Sequence, residues 1–520
     1  MDQSIQMAPT IGTLLLRSVW QYGDRTAFSW EGGSLSYRAM GDLLGRMQAA
    51  YAGAGLTRSH RVCLLTGNSA FGWCAGMAAL CSGMISTPLH PLGSLEDHLL
   101  QIQDFNADVL VVDVSTHRAR GEEILAAAPG LRSVFSLGQS DFGSDLLAQA
   151  EKAGSCSPRD LTHREDVPYV HYTGGSTGRA KGVVRDHAAF TAMLLNGLAD
   201  FEIPAVPRYL AVAPITHVTG TKIMPTLVRG GTVHLQDGFA PDRVLDVIRR
   251  ERINMALMVP TMIYSLLDHP SLGKADLSSL ELLLYGASPM SAARLHEGLE
   301  RIGPVFAQLY GQTEAYPLAY LRRADHDPAN PERFASCGRP TLGTLLKVLD
   351  DQDQEVPMGE AGEICVRGIH AMREYLNLPE LSDSALNNGW LHTGDIGRFD
   401  DRGYLYIVDR KKDMVISGGF NVYPRDIEDI ISTHPAVSMV AVIGVPDPKW
   451  GEAVAALVVR RPGEQVQAEE LVQLVKSRKG AIYAPKQIEF VEKLPLTSVG
   501  KIDKKALRTR FWEGKSRQVS

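Results

Sequence analysis

The chain has 520 residues, enough for several domains, and its 44% apolar and 22% charged shares suit packed globular cores. A net charge of −6 gives no chain-wide basic field for nucleic acid. The six cysteines form no Cys-x-x-Cys pair, which argues for buried thiols of a cytoplasmic protein and against a disulfide framework or a zinc site.

The stretch Val62–Leu95 contains no Asp, Glu, Lys or Arg. Asn68, Gly76, Ser82, Gly83, Pro88 and Pro91 interrupt it, so it reads as a strand (Val62–Leu65) and a buried helix (Ala70–Cys81), with no membrane span. Further on, short Val/Ile/Leu runs at Asp108–Val112, Pro168–Tyr172, Tyr209–Ala213, Met255–Val259 and Leu280–Tyr285 alternate with helical patterns such as Pro241–Arg252 and Ser291–Arg301. That alternation predicts doubly wound α/β sheets, whose ligands bind in loops leaving the carboxyl ends of strands. From about Pro331 the pattern changes. Leu345–Leu349, Glu363–Arg367 and Tyr404–Val408 read as strands joined by turns, a β-rich subdomain. After Lys412 a compact α+β pattern begins, with a helix from Pro424, strands at Val437–Val445, Ala453–Val459 and Gln487–Val491, and a helix at Ala468–Arg478. The expected division is therefore a large N-terminal domain, 1–411, and a small mobile C-terminal one, 412–520.

Four segments carry chemistry. Residues 172–182 read Tyr-Thr-Gly-Gly-Ser-Thr-Gly-Arg-Ala-Lys-Gly. Glycines let backbone N–H groups face an anion, Ser176 and Thr177 add hydroxyls, and Arg179 and Lys181 add charge. The same string matches the Gly-x-Ser-x-Gly nucleophile elbow, which would make Ser176 a nucleophile. The second segment is Tyr310-Gly311-Gln312-Thr313-Glu314 after a strand at Val305–Leu309. Its aromatic ring suits a base, its hydroxyl a phosphate and its carboxylate Mg²⁺. The third is His392-Thr-Gly-Asp395 with Asp409-Arg-Lys-Lys-Asp413; a carboxylate there can accept both ribose hydroxyls. The fourth is Lys501, on the loop Pro495–Lys501. Taken singly, each segment also reads as a surface turn.

Together, in this order and spacing, the four segments resemble the adenylate-forming enzymes: acyl-CoA synthetases, luciferases and peptide-synthetase adenylation domains. The similarity runs from about Gly12 to Arg508, and Ser417–Pro424 with Lys449–Glu452 resemble the acyl-CoA synthetase branch. The resemblance implies an ATP-dependent acyl-CoA synthetase that makes an acyl-AMP and transfers the acyl group to coenzyme A. It implies that Thr173, Gly174, Gly175, Ser176, Thr177, Gly178 and Lys181 grip the ATP phosphates. Tyr310 would stack on adenine beside Gly286, Ala287 and Ser288, with Gly311 and Gln312 adjoining. Thr313 would meet the α-phosphate, Glu314 would bind Mg²⁺, and Asp395 and Arg410 would hold the ribose. Lys501 would bridge the substrate carboxylate and the α-phosphate. Lys412 falls at the hinge, and Gly418, Gly419 and Trp450 at the thiol channel. His217, Val218, Thr221, Tyr285 and Tyr316 would flank the acyl pocket, with no acidic partner for an amino group, so the expected acid is fatty, aryl or bulky alicyclic. The sequence departs from the family pattern at Gly174 (often Ser), Ala180 (often Pro) and Ile215-Thr216 (often aromatic).

Two other readings share these residues. A carrier-protein thiol, or a partner that receives acyl-AMP, is an alternative acceptor with the same adenylation set. A serine hydrolase built on Ser176 needs an ordered Ser-acid-His triad, which nothing fixes, and leaves Tyr310–Glu314, Asp395 and Lys501 unexplained. A homodimer is compatible with the chain.

Overall fold

The computed structural model describes residues 9–128, 130–173, 180–410, 413–417, 420–448, 450–497 and 500–512. Among these residues the strands form four sheets. One has eight strands, with a parallel centre made of Ile85–Pro88, Arg61–Leu65, Val109–Asp113 and Ser133–Leu137. A second has nine strands, with a parallel centre made of Leu282–Gly286, Met255–Met258, Arg208–Ala211 and Thr232–Leu235.

Alternation along these strands sorts side chains between cores. Val62 and Leu64 point to a central core shared with the second sheet, whereas Cys63 and Leu65 point to an outer core. In the second sheet Leu282 and Leu284 join the central core, and Leu283 and Tyr285 an outer one. The helices Ile11–Tyr22, Tyr37–Gly53 and Ala70–Cys81 supply much of the central core. Ala70–Cys81 is buried along nearly its whole length because Ala, Cys and Met occupy every side of it. It is only 12 residues long. Among the described residues no helix is long and apolar enough to cross a membrane.

The β-rich segment forms a five-stranded antiparallel sheet that includes Leu345–Leu349, Gly362–Arg367, Trp390–Phe399 and Leu405–Arg410. One short helix, Pro379–Ala385, interrupts what the sequence suggested was helix-free. The last sheet carries the long hairpin Val437–Asp447/Gly451–Arg460 under the helices Pro424–Ile431 and Ala468–Lys479. The chain is thus mixed α/β with a large N-terminal sheet region and a smaller C-terminal one.

The six cysteines are free, five of them buried. Burial pushes the Cys337 thiol up to about 11, so it stays protonated.

Acid should weaken this fold. Burial lowers His90, His234, His326 and His370 to about 4 and His171 to about 3. Below pH 6.5 the unfolded chain takes up these protons while the folded chain does not, so stability is lost as pH falls from 6.5 toward 4. Asp409 and Asp429, raised by burial to about 6, act with the opposite sign between about 6 and 3.8. Five groups against two set the direction. The heat-unfolding midpoint should fall on acidification across this window, and a midpoint that stayed level or rose would contradict the assignment of these histidines as neutral.

Candidate active site

The carboxyl ends of adjacent parallel strands place the predicted segments together. Leu282–Gly286 and Phe306–Tyr310 pair in parallel, with Gly286 opposite Leu309. Gly286-Ala287-Ser288 and Gly311–Glu314 therefore leave the sheet side by side. A Cβ on Gly286 would lie 2.3 Å from the Leu309 carbonyl oxygen, so only glycine allows this approach. Ala287 follows at φ +65°, a region that costs an alanine energy and is common at ligand loops.

Asp395 lies at the centre of a bonded group. Tyr310 donates its hydroxyl to Asp395 Oδ2 at 2.7 Å, and Gln312 Nε2 donates to the same oxygen at 2.6 Å. Arg410 Nε lies 3.2 Å from Oδ1, because Asp395 and Arg410 are cross-strand partners. The Asp395 carboxylate holds the Arg410 guanidinium above its ordinary value. Tyr310 itself is buried in an apolar cluster with Leu318 and Ile364.

Glu314 accepts a hydrogen bond from the Tyr375 hydroxyl at 2.8 Å, and Lys181 Nζ lies 5.1 Å from the Tyr375 ring centre. The end of the glycine-rich loop thus faces the carboxylate predicted to hold the metal. Tyr375 was not foreseen, because its strand Glu374–Tyr375 lies far along the chain and pairs with Lys181–Arg185.

The strands flanking the loop add to the sequence reading. Thr173 pairs antiparallel with Lys181, so Tyr169–Thr173 returns through the strand Lys181–Arg185 before the helix His187–Asp200 begins. The sequence placed a helix start near Asp186, and Asp186 is indeed the N-cap of that helix; the intervening strand was not foreseen. A nucleophile elbow needs a strand-to-helix turn, so the hairpin removes the geometric basis for Ser176 as a nucleophile. Gly174, Gly175, Ser176, Thr177, Gly178 and Arg179 lie outside the described residues. So do Lys412, Gly418 and Gly419. Trp450 is described: it sits at the turn of the long hairpin, and the neighbouring Gly451 pairs with Ser417, next to 418–419.

A cavity of about 160 Å³ opens between the two large sheets. His217, Thr221 and Tyr316 line it, as expected, with Trp73, Met77, Phe190 and Met224 adding carbon surface. Two expected pocket residues do not. Tyr285 faces the outer core, where its hydroxyl lies 3.0 Å from His326 Nε2, because strand alternation gives the inner face to Leu284. Val218 packs into the central core beside the cavity. The sequence reading also missed His171 and Lys222 on the wall. The alternation of His171 with Val170 and Tyr172 was the available signal; for Lys222 there was none.

The charge of Lys501, in the C-terminal region, is felt by His217 on the cavity wall. This lysine sits on a turn closed by Thr497 N–H to the Lys501 carbonyl (2.7 Å), with Gly500 at φ +78°. Thr261 Oγ1 donates to the Gly500 carbonyl at 2.8 Å and fixes the turn to the start of the helix Pro260–Leu267. Burial, with the Lys501 charge in addition, lowers the pKa of His217 and keeps the imidazole neutral. His217 in turn lies against His90, with ring centres 4.6 Å apart.

Comparison with known proteins fits this arrangement. The AMP-binding enzyme family matches residues 15–376, and the AMP-binding enzyme C-terminal domain matches 426–501. A medium/long-chain-fatty-acid–CoA ligase of Mycobacterium tuberculosis is 42% identical over 84% of this chain and 79% of its own. A feruloyl-CoA synthase of Amycolatopsis is 36% identical over 94% of this chain and 96% of its own. The structure of an amide bond synthetase from Marinactinospora thermotolerans superposes with a TM-score of 0.89 at 33% identity, over 97% of this chain and 100% of that one. The chain belongs to the AMP-binding enzyme family, in the acyl-CoA synthetase branch of the adenylate-forming enzymes.

Proposed function

We propose that this enzyme activates an apolar carboxylic acid (fatty, aryl or alicyclic) as its acyl-AMP and transfers the acyl group to coenzyme A. As a member of its branch it is an AMP-forming acid–thiol ligase. The observation that carries the choice of acid is the largely carbon-walled cavity, with His217 on its wall within reach of the Lys501 charge. The fatty-acid and feruloyl relatives act on acids of these kinds.

A carboxylate is a poor electrophile because its oxide leaves badly. One carboxylate oxygen attacks the α-phosphorus of ATP, the bond to pyrophosphate breaks, and the acid becomes a mixed anhydride. Two anions must meet, so donors and positive charge aimed at the forming bond dominate the rate. Lys501 supplies the charge between carboxylate and α-phosphate, and Thr313 donates to that phosphate. Thr173, Lys181 and the loop at 174–178 hold the outer phosphates. Tyr310 and 286–288 take the adenine, while Asp395 and Arg410 take the ribose. Glu314 suits Mg²⁺: this ion commonly uses one or two carboxylates and completes its shell with phosphate oxygens and water. When bound, the metal would neutralise phosphate charge.

Thiol transfer needs a second surface. Residues 412–520 act as a lid that turns about Lys412 and brings Gly418, Gly419 and Trp450 to the acyl-AMP. The thiolate then attacks the acyl carbon and AMP leaves. Contacts that join the two portions in the present arrangement include Thr261 to Gly500, Ser291 to Ser432 at 3.1 Å and Arg461 to Glu297 at 3.4 Å. These are single polar contacts, which part more readily than an apolar interface. The free cysteines suit a reducing compartment, the cytoplasm.

The test is pyrophosphate release across a panel of acids with ATP and Mg²⁺, with and without coenzyme A. Release should require an acid, and thioester should appear only with coenzyme A. Release without any acid, or none with any acid, would contradict the reading. Thioester on a carrier-protein thiol alone would move the acceptor from coenzyme A to that protein.

A further inference from the structure

Among the described residues Lys222 is the one lysine on the cavity wall, and it is almost fully buried, 1% exposed. It ends the short turn Gly220–Lys222, which directs it inward from the loop that carries His217. Its ammonium lies 4.7 Å from the ring centres of both Phe201 and Tyr316. It donates to Thr221 Oγ1 at 3.1 Å and to the Tyr316 hydroxyl. Thr221 passes its own proton to the Val218 carbonyl at 2.6 Å. Among the described residues no carboxylate pairs with Lys222, and burial alone accounts for the fall of its pKa to about 7. His217 and Lys222 both line the cavity but have different neighbours: His217 lies against His90, whereas Lys222 is held by Phe201, Tyr316 and Thr221.

A hydrocarbon acid does not need this arrangement. Burying an amine without a counter-charge is costly, and methionine or leucine would fill the same volume at less cost. An ammonium has three N–H bonds and two are used by the hydroxyls. The third has the cavity as its remaining outlet, since the two aromatic faces offer only their π clouds.

We propose that Lys222 is a specificity-determining residue that donates a hydrogen bond to an oxygen on the acid, remote from the carboxylate that is activated. The favoured substrates are then apolar acids with an oxygen acceptor on their distal part, an oxo group or a second carboxylate, in preference to plain hydrocarbon acids of the same shape. This deepens the proposed activation of an apolar acid and rests on it for the identity of the cavity.

The experiment uses matched acids: a medium-chain monoacid, the same chain with a distal oxo group, and the dicarboxylic acid of equal length, with a cyclohexylpropanoic acid and its ring-oxo partner. Binding is read by calorimetry and turnover by pyrophosphate release, on the wild type, Lys222→Met and Lys222→Gln. The wild type should prefer one of the oxygenated acids over its hydrocarbon partner by about 10-fold or more. Lys222→Met should abolish or invert that preference and bind the hydrocarbon acid at least as well. Lys222→Gln, which keeps an N–H donor, should retain preference for the oxo acid and lose any preference for the dicarboxylate; this separates the two oxygen sources. Unfolding midpoints of the variants should equal or exceed that of the wild type, because a buried charge is removed.

Equal binding of oxygenated and hydrocarbon acids by the wild type would overturn the proposal. So would a uniform loss across all acids in Lys222→Met with an unchanged unfolding midpoint. Failure of the activation reading is seen separately: acids would bind, with or without discrimination by Lys222, yet release no pyrophosphate.

Discussion

Lys501→Ala should reduce acid-dependent pyrophosphate release by about 10²–10³-fold, the usual loss when one aimed electrostatic donor is removed. Conversion of preformed acyl-AMP and coenzyme A to thioester should remain close to wild type. The asymmetry follows from position. In the present arrangement the Lys501 charge is felt by His217 on the cavity wall, and the proposed first half-reaction brings two anions together there. In the proposed second half-reaction an acyl-AMP and a thiolate meet after the lid has turned, without Lys501. The turn should survive the substitution, because backbone bonds from Thr497 and Gly500 close it and Thr261 anchors the Gly500 carbonyl. Equal losses in both half-reactions, measured with separate pyrophosphate and thioester assays, would mean that Lys501 serves the fold or both steps.

Asp395→Ala should raise the KM for ATP sharply and lower kcat/KM for ATP by about 10²-fold, while also costing about 2–4 kcal/mol of stability. Tyr310, Gln312 and Arg410 all lose the acceptor that they share. Arg410 is about half exposed, so water replaces part of its loss, and the stability figure is accordingly below that for a fully buried pair. Asp395→Asn keeps the shape and an acceptor oxygen, so it should recover much of the stability and less of the ATP affinity. ATP titration of turnover and urea unfolding together separate the effects. A loss of stability with KM for ATP unchanged would assign Asp395 to the scaffold alone.

Much of the fold was legible because its strands are short, apolar and nearly continuous. Leu345–Leu349 and Ala70–Cys81 have the bounds the pattern indicated, and most other elements differ by a few residues. The strand Lys181–Arg185 was not legible. It starts on the last charged residue of the glycine-rich loop, and Val183 and Val184 alone make too short an apolar run to mark it. Tyr285 was assigned to the wrong face by its proximity to Gly286; the alternation with Leu284 decides it. Lys222 illustrates a different limit. A lysine among threonine, glycine and isoleucine reads as an exposed residue. Its burial depends on Phe201 and Tyr316, which only the assembled sheet and helices bring to it. Asp395 and Arg410 were legible as a motif, but their bonding to Tyr310 and Gln312 required two sheets to meet.

The central claim is that the acid's own oxygen attacks the α-phosphorus of ATP and that a thiol then displaces AMP. It is tested most directly by running the reaction with an acid labelled with ¹⁸O in its carboxylate and weighing the AMP produced. The mechanism requires one labelled oxygen to move from the acid into AMP, with unlabelled pyrophosphate and a thioester as the other products. Unlabelled AMP, or formation of ADP and phosphate in its place, would contradict the adenylate route.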